Sequence, residues 1–376
     1  MGPLAAQSRR WTRRAMLGFI AAPAFSVQHG KGSLLASEIV RFPDPATELD
    51  IYRLSGPAYA SYLPAYYGRS LARKNHFLLA SSDRAGTPQA FRINLKSGEW
   101  QQLTDAEALD GSSLTLMPDD RSFCYFDGPS FKRVDLGKLR EREIYSVPEG
   151  WERCPGASVT DDGLYAMFAE CRQGASRLRL VSLVKGVVQT LAEAPWIISH
   201  PMGRPRRTQV LYRQADSALW LVNFDGRENR KLKTGMGVIG PARWAHDGKT
   251  VLYLRFPEDR AQLNTIREHT PDENADQHVA KTSQFVHFDA NPDTSVFVGV
   301  SRNKASPHIL VLLRTTQREL TICEHRASDP SAAAPLFSSD SQQIFFQSDK
   351  QGKPALYRVQ VERFVEKTES EPDRSF

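Results

Sequence analysis

The chain has 376 residues, enough to bury a large core, and its 40% hydrophobic and 10% aromatic content is ordinary for a globular protein. The net charge of +6 owes most of its size to Arg9, Arg10, Arg13 and Arg14; without them 45 basic residues face 43 acidic ones, a balance of +2 that leaves no electrostatic footprint for nucleic acid. After the N-terminal segment no stretch is long and apolar enough to span a bilayer, so no stable membrane insertion is expected.

In chain order, residues 1–24 read as a twin-arginine-like signal peptide. They contain no acidic residue, Arg13–Arg14 stand directly before the apolar run Ala15 to Ala22, and Ala22-Pro23-Ala24 supplies small residues for cleavage. The expected location is therefore periplasmic or secreted. Residues 25–37 read as a linker, 38–364 as one folded domain, and 365–376, a polar and acidic run, as a flexible tail.

The domain is repetitive. A polar turn, a short apolar strand, a hairpin and further strands recur: Pro118-Asp119-Asp120 leads into SFCYF, Asp161-Asp162-Gly163 into LYAMF, Asp247-Gly248-Lys249 into TVLYL, Pro292-Asp293 into SVFVGV, and Ser339-Asp340 into QQIFF. Two weaker copies begin at Gly68 and Gly203. From Asp119 to Asp161 is 42 residues, Asp247 to Asp293 is 46 and Asp293 to Asp340 is 47. That is the period of four-stranded propeller blades, about 40–50 residues each, and seven copies predict a seven-bladed β-propeller. The last copy supplies three strands, and Ile51 to Ser55 has the pattern of an outer strand, so an N-terminal strand is expected to close the ring and remove its open edges. Phe256 to Ser283 reads as one long polar loop. Cys124, Cys154, Cys171 and Cys323 form no CxxC pair; they admit three disulfide pairings or remain buried thiols. GxSxG, HExxH and GxxxxGK[ST] are absent, so serine hydrolase, zincin and nucleotidase chemistries have no motif support.

The later repeats carry more specific runs. Trp196-Ile197-Ile198-Ser199-His200-Pro201-Met202, then Leu219 to Gly226 (LWLVNFDG) with Arg230-Lys231, then Trp244 to Gly248 (WAHDG), Val286-His287-Phe288 and Ser348 to Tyr357 (SDKQGKPALY) resemble the oligogalacturonide lyase family in order and approximate spacing. Weaker similarity reaches back to the first blade. The resemblance implies a seven-bladed propeller that cleaves pectin-derived oligouronides by β-elimination, with a divalent metal, typically manganese, a histidine base and an arginine beside the substrate carboxylate. It also implies an acidic oligosaccharide as the partner.

Carried over residue by residue, the resemblance leaves gaps. The family's metal motif in the last blade falls on Asp329, Ala332 and Ala334, and alanine coordinates nothing; His287 matches the remaining ligand, so the implied metal site is partial, His287 with Asp329. Pro241 stands at the position of the family's His-Glu-aromatic-Trp histidine and Ala218 at the arginine, while Tyr212 to Ser217 is shorter than a His-containing family segment. His200 and Arg243 are the candidate catalytic residues, and His200, Arg213 and Arg243 the candidate substrate-binding residues. Trp220 and Trp244 match the family, and aromatics at these positions are read as blade packing. Two readings follow: a lyase with a rearranged site, or a non-catalytic propeller that binds a saccharide or protein at its channel mouth. Oligomeric state is not legible.

Overall fold

The computed structural model describes residues 30–214, 218–259 and 261–368; the signal-like segment 1–24 and the end of the tail lie outside them. Seven antiparallel sheets stand around one axis, five with four strands and two with five. In each the first strand is innermost, for example Leu109–Leu116 in blade 2, Ile198–Gly203 in blade 4, Val238–Trp244 in blade 5 and Phe285–Ala290 in blade 6. The expected seven-bladed β-propeller is the fold.

The recurring aspartates close the turn after the inner strand. Asp119, Asp247 and Asp293 each accept a hydrogen bond at Oδ1 from the amide two residues on, at 3.0, 2.9 and 3.0 Å. This is the local side-chain turn that favours aspartate there. The apolar runs after them are buried on both faces. In Val251–Phe256, Val251 and Tyr253 point into the interface with blade 4, and Leu252 and Leu254 into that with blade 6. The core accordingly divides into seven clusters, each shared by two neighbouring blades.

One cluster joins the last blade to the first, with Phe345 and Leu356 against Leu78, Phe91 and Trp100. Ring closure is by the N-terminal strand Asp50–Arg53, in which Ile51, Tyr52 and Arg53 pair with Val359, Arg358 and Tyr357. Two further strands were not anticipated. Val40–Pro43 adds a fifth strand outside blade 7, and Leu34–Leu35 pairs with Trp100 and Gln101 at the outer edge of blade 1.

Phe256 to Ser283 is not one loop. Thr265–Thr270 and Ala275–Lys281 are the two outer strands of blade 5. The outermost strand of a blade faces solvent, and only Ala280 of Ala275–Lys281 is buried, so its polarity concealed it. The cysteines are free thiols: Cys124, Cys154 and Cys323 buried, Cys171 half-buried. No described helix is long and apolar enough to cross a membrane.

Candidate functional site at the channel mouth

Inner strands of blades 2 to 6 each carry a break in register, at Asp110/Thr115, Arg153/Ala157, Ser199/Met202, Ile239/Ala242 and Phe285/His287. Bulges of this kind twist a strand and re-aim its side chains. His200 lies inside one and has φ +51°, a left-handed conformation uncommon for a non-glycine residue. Gly156, in the bulge of blade 3, allows that backbone to approach: a Cβ there would sit 2.7 Å from His200 Cα, and its own φ is +103°.

Four of the five sequence-predicted residues come together, and a residue that went unnoticed organises them. The segment 63–71, the irregular continuation of the first blade's inner strand, presents Tyr66 and Tyr67. The Tyr66 ring stacks on His200 with centroids 6.2 Å apart and meets His287 edge-on at 5.3 Å. The guanidinium of Arg243 lies 5.7 Å from the same ring. Arg213 pairs across from Ser199 and adds its charge to the field at both His200 and Tyr66. Tyr67 meets His200 edge-on at 5.4 Å.

The charges are unevenly compensated. Arg243 forms an ion pair with Asp289, whose other oxygen accepts from the Phe337 amide at 2.8 Å. Burial lowers Arg243 to about 10, which leaves it charged at neutral pH. Arg213 donates to the carbonyls of Ile239, at 2.6 Å, and Gly240, and pairs with no carboxylate among the described residues. Burial, helped by Arg243, pushes His287 down to about 3; burial, helped by Arg213, pushes His200 down to about 4. Both imidazoles are therefore neutral. His200 Nδ1 lies 2.9 Å from Ser199 Oγ, and His287 Nδ1 is buried without a protein partner. Burial raises the Tyr66 hydroxyl, which stays protonated. The site is an array of neutral hydrogen-bonding groups beside an uncompensated cation.

Asp329 does not join it. It is exposed and caps a one-turn 3-10 helix, Pro330–Ala333, accepting from Ser331 N at 2.9 Å and Ser331 Oγ at 2.7 Å. Ala334 follows in the left-handed conformation. Among the described residues no group of three or more His, Cys, Asp or Glu is placed to hold a metal ion. The donor set does not fit a divalent cation either, because the charge that acts on His287 is the positive Arg243 guanidinium. Trp244 packs under Arg204, 5.3 Å from its guanidinium, and Trp220 stacks on Tyr212 at 6.5 Å. Trp196, by contrast, is 49% exposed, its indole held by a hydrogen bond to Gln214 at 2.8 Å.

No model of a known protein family matches the chain. The oligogalacturonide lyase of Pectobacterium atrosepticum is 23% identical over 381 residues, spanning 88% of this chain and 98% of the relative. The oligogalacturonate lyase of Dickeya dadantii is 22% identical over the same shares. An oligogalacturonate lyase solved in complex with manganese superimposes with a TM-score of 0.84 at 23% identity, covering 89% of this chain and 98% of that one. An oligogalacturonate lyase from Vibrio parahaemolyticus gives 0.83 at 22%, covering 88% and 99%. From first blade to last, this chain is a seven-bladed β-propeller similar to the oligogalacturonate lyases.

Proposed function

We propose that this propeller binds acidic, pectin-derived oligosaccharides at its channel mouth and does not perform the metal-assisted elimination that the family resemblance implies. The observation that carries the reading is Arg213: a guanidinium with no carboxylate partner among the described residues, beside two neutral imidazoles and two tyrosines. A uronate carboxylate supplies the missing charge and matches the guanidinium fork. Tyr67, His200 and Ser199 offer hydrogen bonds for sugar hydroxyls, and the exposed Trp196 a ring face for a pyranose on the same side of the disc. Elimination at a uronate needs a base and a stabiliser for charge developing on the carboxylate. His200, pushed down to about 4, is a weak base, and among the described residues no ligand cluster stands by for a metal. The twin-arginine-like segment completes the proposal: a protein exported to where such fragments occur.

The test is a pair of measurements on the purified chain. Titration with trigalacturonate should show binding that weakens about tenfold or more in Arg213→Gln, as expected for loss of a charge-assisted contact. Incubation with the same sugar, with and without manganese, should give no growth in the ultraviolet absorbance of an unsaturated uronate. Manganese-dependent growth abolished in His287→Ala would instead assign the chain as an active lyase.

A further inference from the structure

A second charged feature lies on the opposite face of the disc. Inner strands run away from the mouth that carries His200 and His287, so the turns that follow them emerge on the far side. In blade 2 that turn holds Asp119 and Arg121. Beside it lies the 136–140 turn, between Ser130–Asp135 and Glu141–Ser146. With Leu183 and Val184 of blade 3 as the far wall, these turns border an open cavity of about 460 Å³ lined by Arg121, Arg133, Arg140 and Arg142 and by Asp119 and Asp135.

Four guanidinium groups around one cavity repel one another unless anions intervene. Several arginines elsewhere in the ring have such partners: Arg177 pairs with Glu170 at 2.6 Å, Arg267 with Asp276 at 2.6 Å and Arg314 with Glu268 at 2.7 Å. None of the four has an ion pair among the described residues. The two aspartates that share the cavity are engaged with backbone. Asp119 Oδ1 accepts from Arg121 N at 3.0 Å, and Asp135 Oδ1 accepts from Gly137 N at 3.0 Å and Lys138 N at 2.7 Å. Arg133 donates Nε to Ser122 Oγ at 3.0 Å, and Arg142 donates Nη2 to the Leu183 carbonyl at 2.7 Å. Those hydrogen bonds orient the half-buried Arg133 and the exposed Arg142, while Arg121 and Arg140 stand exposed at the rim with no such tether. The volume lies within the range of ligand sites, about 300–1,000 Å³.

We propose that this cavity is a binding site for a multivalent oxyanion, the chemistry shared by uronate-bearing sugars and by phosphate, separate from the channel mouth. Converging guanidinium forks bind carboxylate or phosphate oxygens in pairs, and the preset positions of Arg133 and Arg142 reduce the ordering cost.

Inorganic phosphate and trigalacturonate, titrated separately by calorimetry into the full chain, distinguish the two sources. At least one should show a binding event that falls about tenfold or more in Arg121→Ser/Arg140→Ser. That event should weaken as salt rises and survive in Arg213→Gln, so the channel-mouth reading and this one fail independently. Loss of both probes' binding marks a general oxyanion site, loss for trigalacturonate alone a site for carboxylated sugar, and loss for phosphate alone a site for phosphate. A second measurement needs no variant: a bound probe should protect Arg121 and Arg140 from phenylglyoxal, read by mass spectrometry. Unchanged isotherms for both probes in the double variant, or no protection by either, would overturn the proposal.

Discussion

His200 illustrates how one side chain is aimed by residues outside its own strand. Its left-handed backbone is held by the bulge at Ser199/Met202 and fits against Gly156 of the preceding blade. Gly156 therefore has two reasons to lack a side chain: a φ of +103° and a neighbour that would lie 2.7 Å from a Cβ. Gly156→Ala meets backbone rather than a flexible side-chain end, so the adjustment must displace His200 or Pro201, whose Cδ would be 3.1 Å away. The expected cost is about 1–3 kcal/mol, the range for a residue forced into a sparsely populated backbone region. The urea midpoint should fall accordingly. Affinity for trigalacturonate should fall with it, because the ring that meets Tyr66 and Tyr67 has moved. A wild-type midpoint and affinity in this variant would show that the two bulges do not depend on each other.

At the scale of elements, the N-terminal segment fastens the ring twice. Asp50–Arg53 fills the fourth-strand place of blade 7, while Leu34–Leu35 reaches the outer edge of blade 1. Removing residues through 43 takes only strands added outside complete blades. Removing residues through 53 exposes the edge of Ala355–Gln360 and takes Ile51 from the cluster between blades 6 and 7. The shorter deletion should leave a folded monomeric ring with a modestly lower midpoint. The longer one should aggregate, as an unpaired flat edge does, and size-exclusion chromatography separates the outcomes. The same elements explain what was legible in the sequence. Blades were, because the second strand of a blade is buried on both faces and in five repeats the turn before it carries an aspartate. Closure by 50–53 was, because that strand repeats the pattern of Trp100 to Thr104. The strands at 34–35 and 40–43 have no counterpart in the repeat, and 275–281 is too polar to read as a strand. At the site, His200, His287, Arg213 and Arg243 were found through motifs or their flanks. Tyr66 and Tyr67 were not, since they belong to an irregular segment that no periodicity marks, and pairings such as Arg243 with Asp289 depend on the fold bringing two blades together.

Across the whole molecule, neutral buried or half-buried histidines recur in three consecutive blades. His200 in blade 4 and His287 in blade 6 are pushed down to about 4 and about 3, and burial lowers His269 in blade 5 and His325 after blade 6 in the same direction. In the unfolded chain each would titrate near its ordinary value of about 6.5. The sign follows directly. Between the folded and unfolded values the unfolded chain binds more protons, so stability is full above about pH 6.5 and is lost as pH falls toward 4 and 3. For His287 alone the loss from pH 7 to pH 5 is roughly 2 kcal/mol by that linkage. The other three act in the same direction, so the ring should lose several kcal/mol over this range, before most carboxylates titrate. Denaturant midpoints measured at pH 7, 6 and 5 read this out. His287→Phe should flatten the slope by about one histidine's share, whatever it does to the midpoint at pH 7, because it removes one proton-binding group from the unfolded chain and none from the folded one. A midpoint constant from pH 7 to pH 5 would mean that these rings are hydrated enough to protonate in place, and the neutral channel mouth on which Arg213 stands as the uncompensated charge would have to be redrawn.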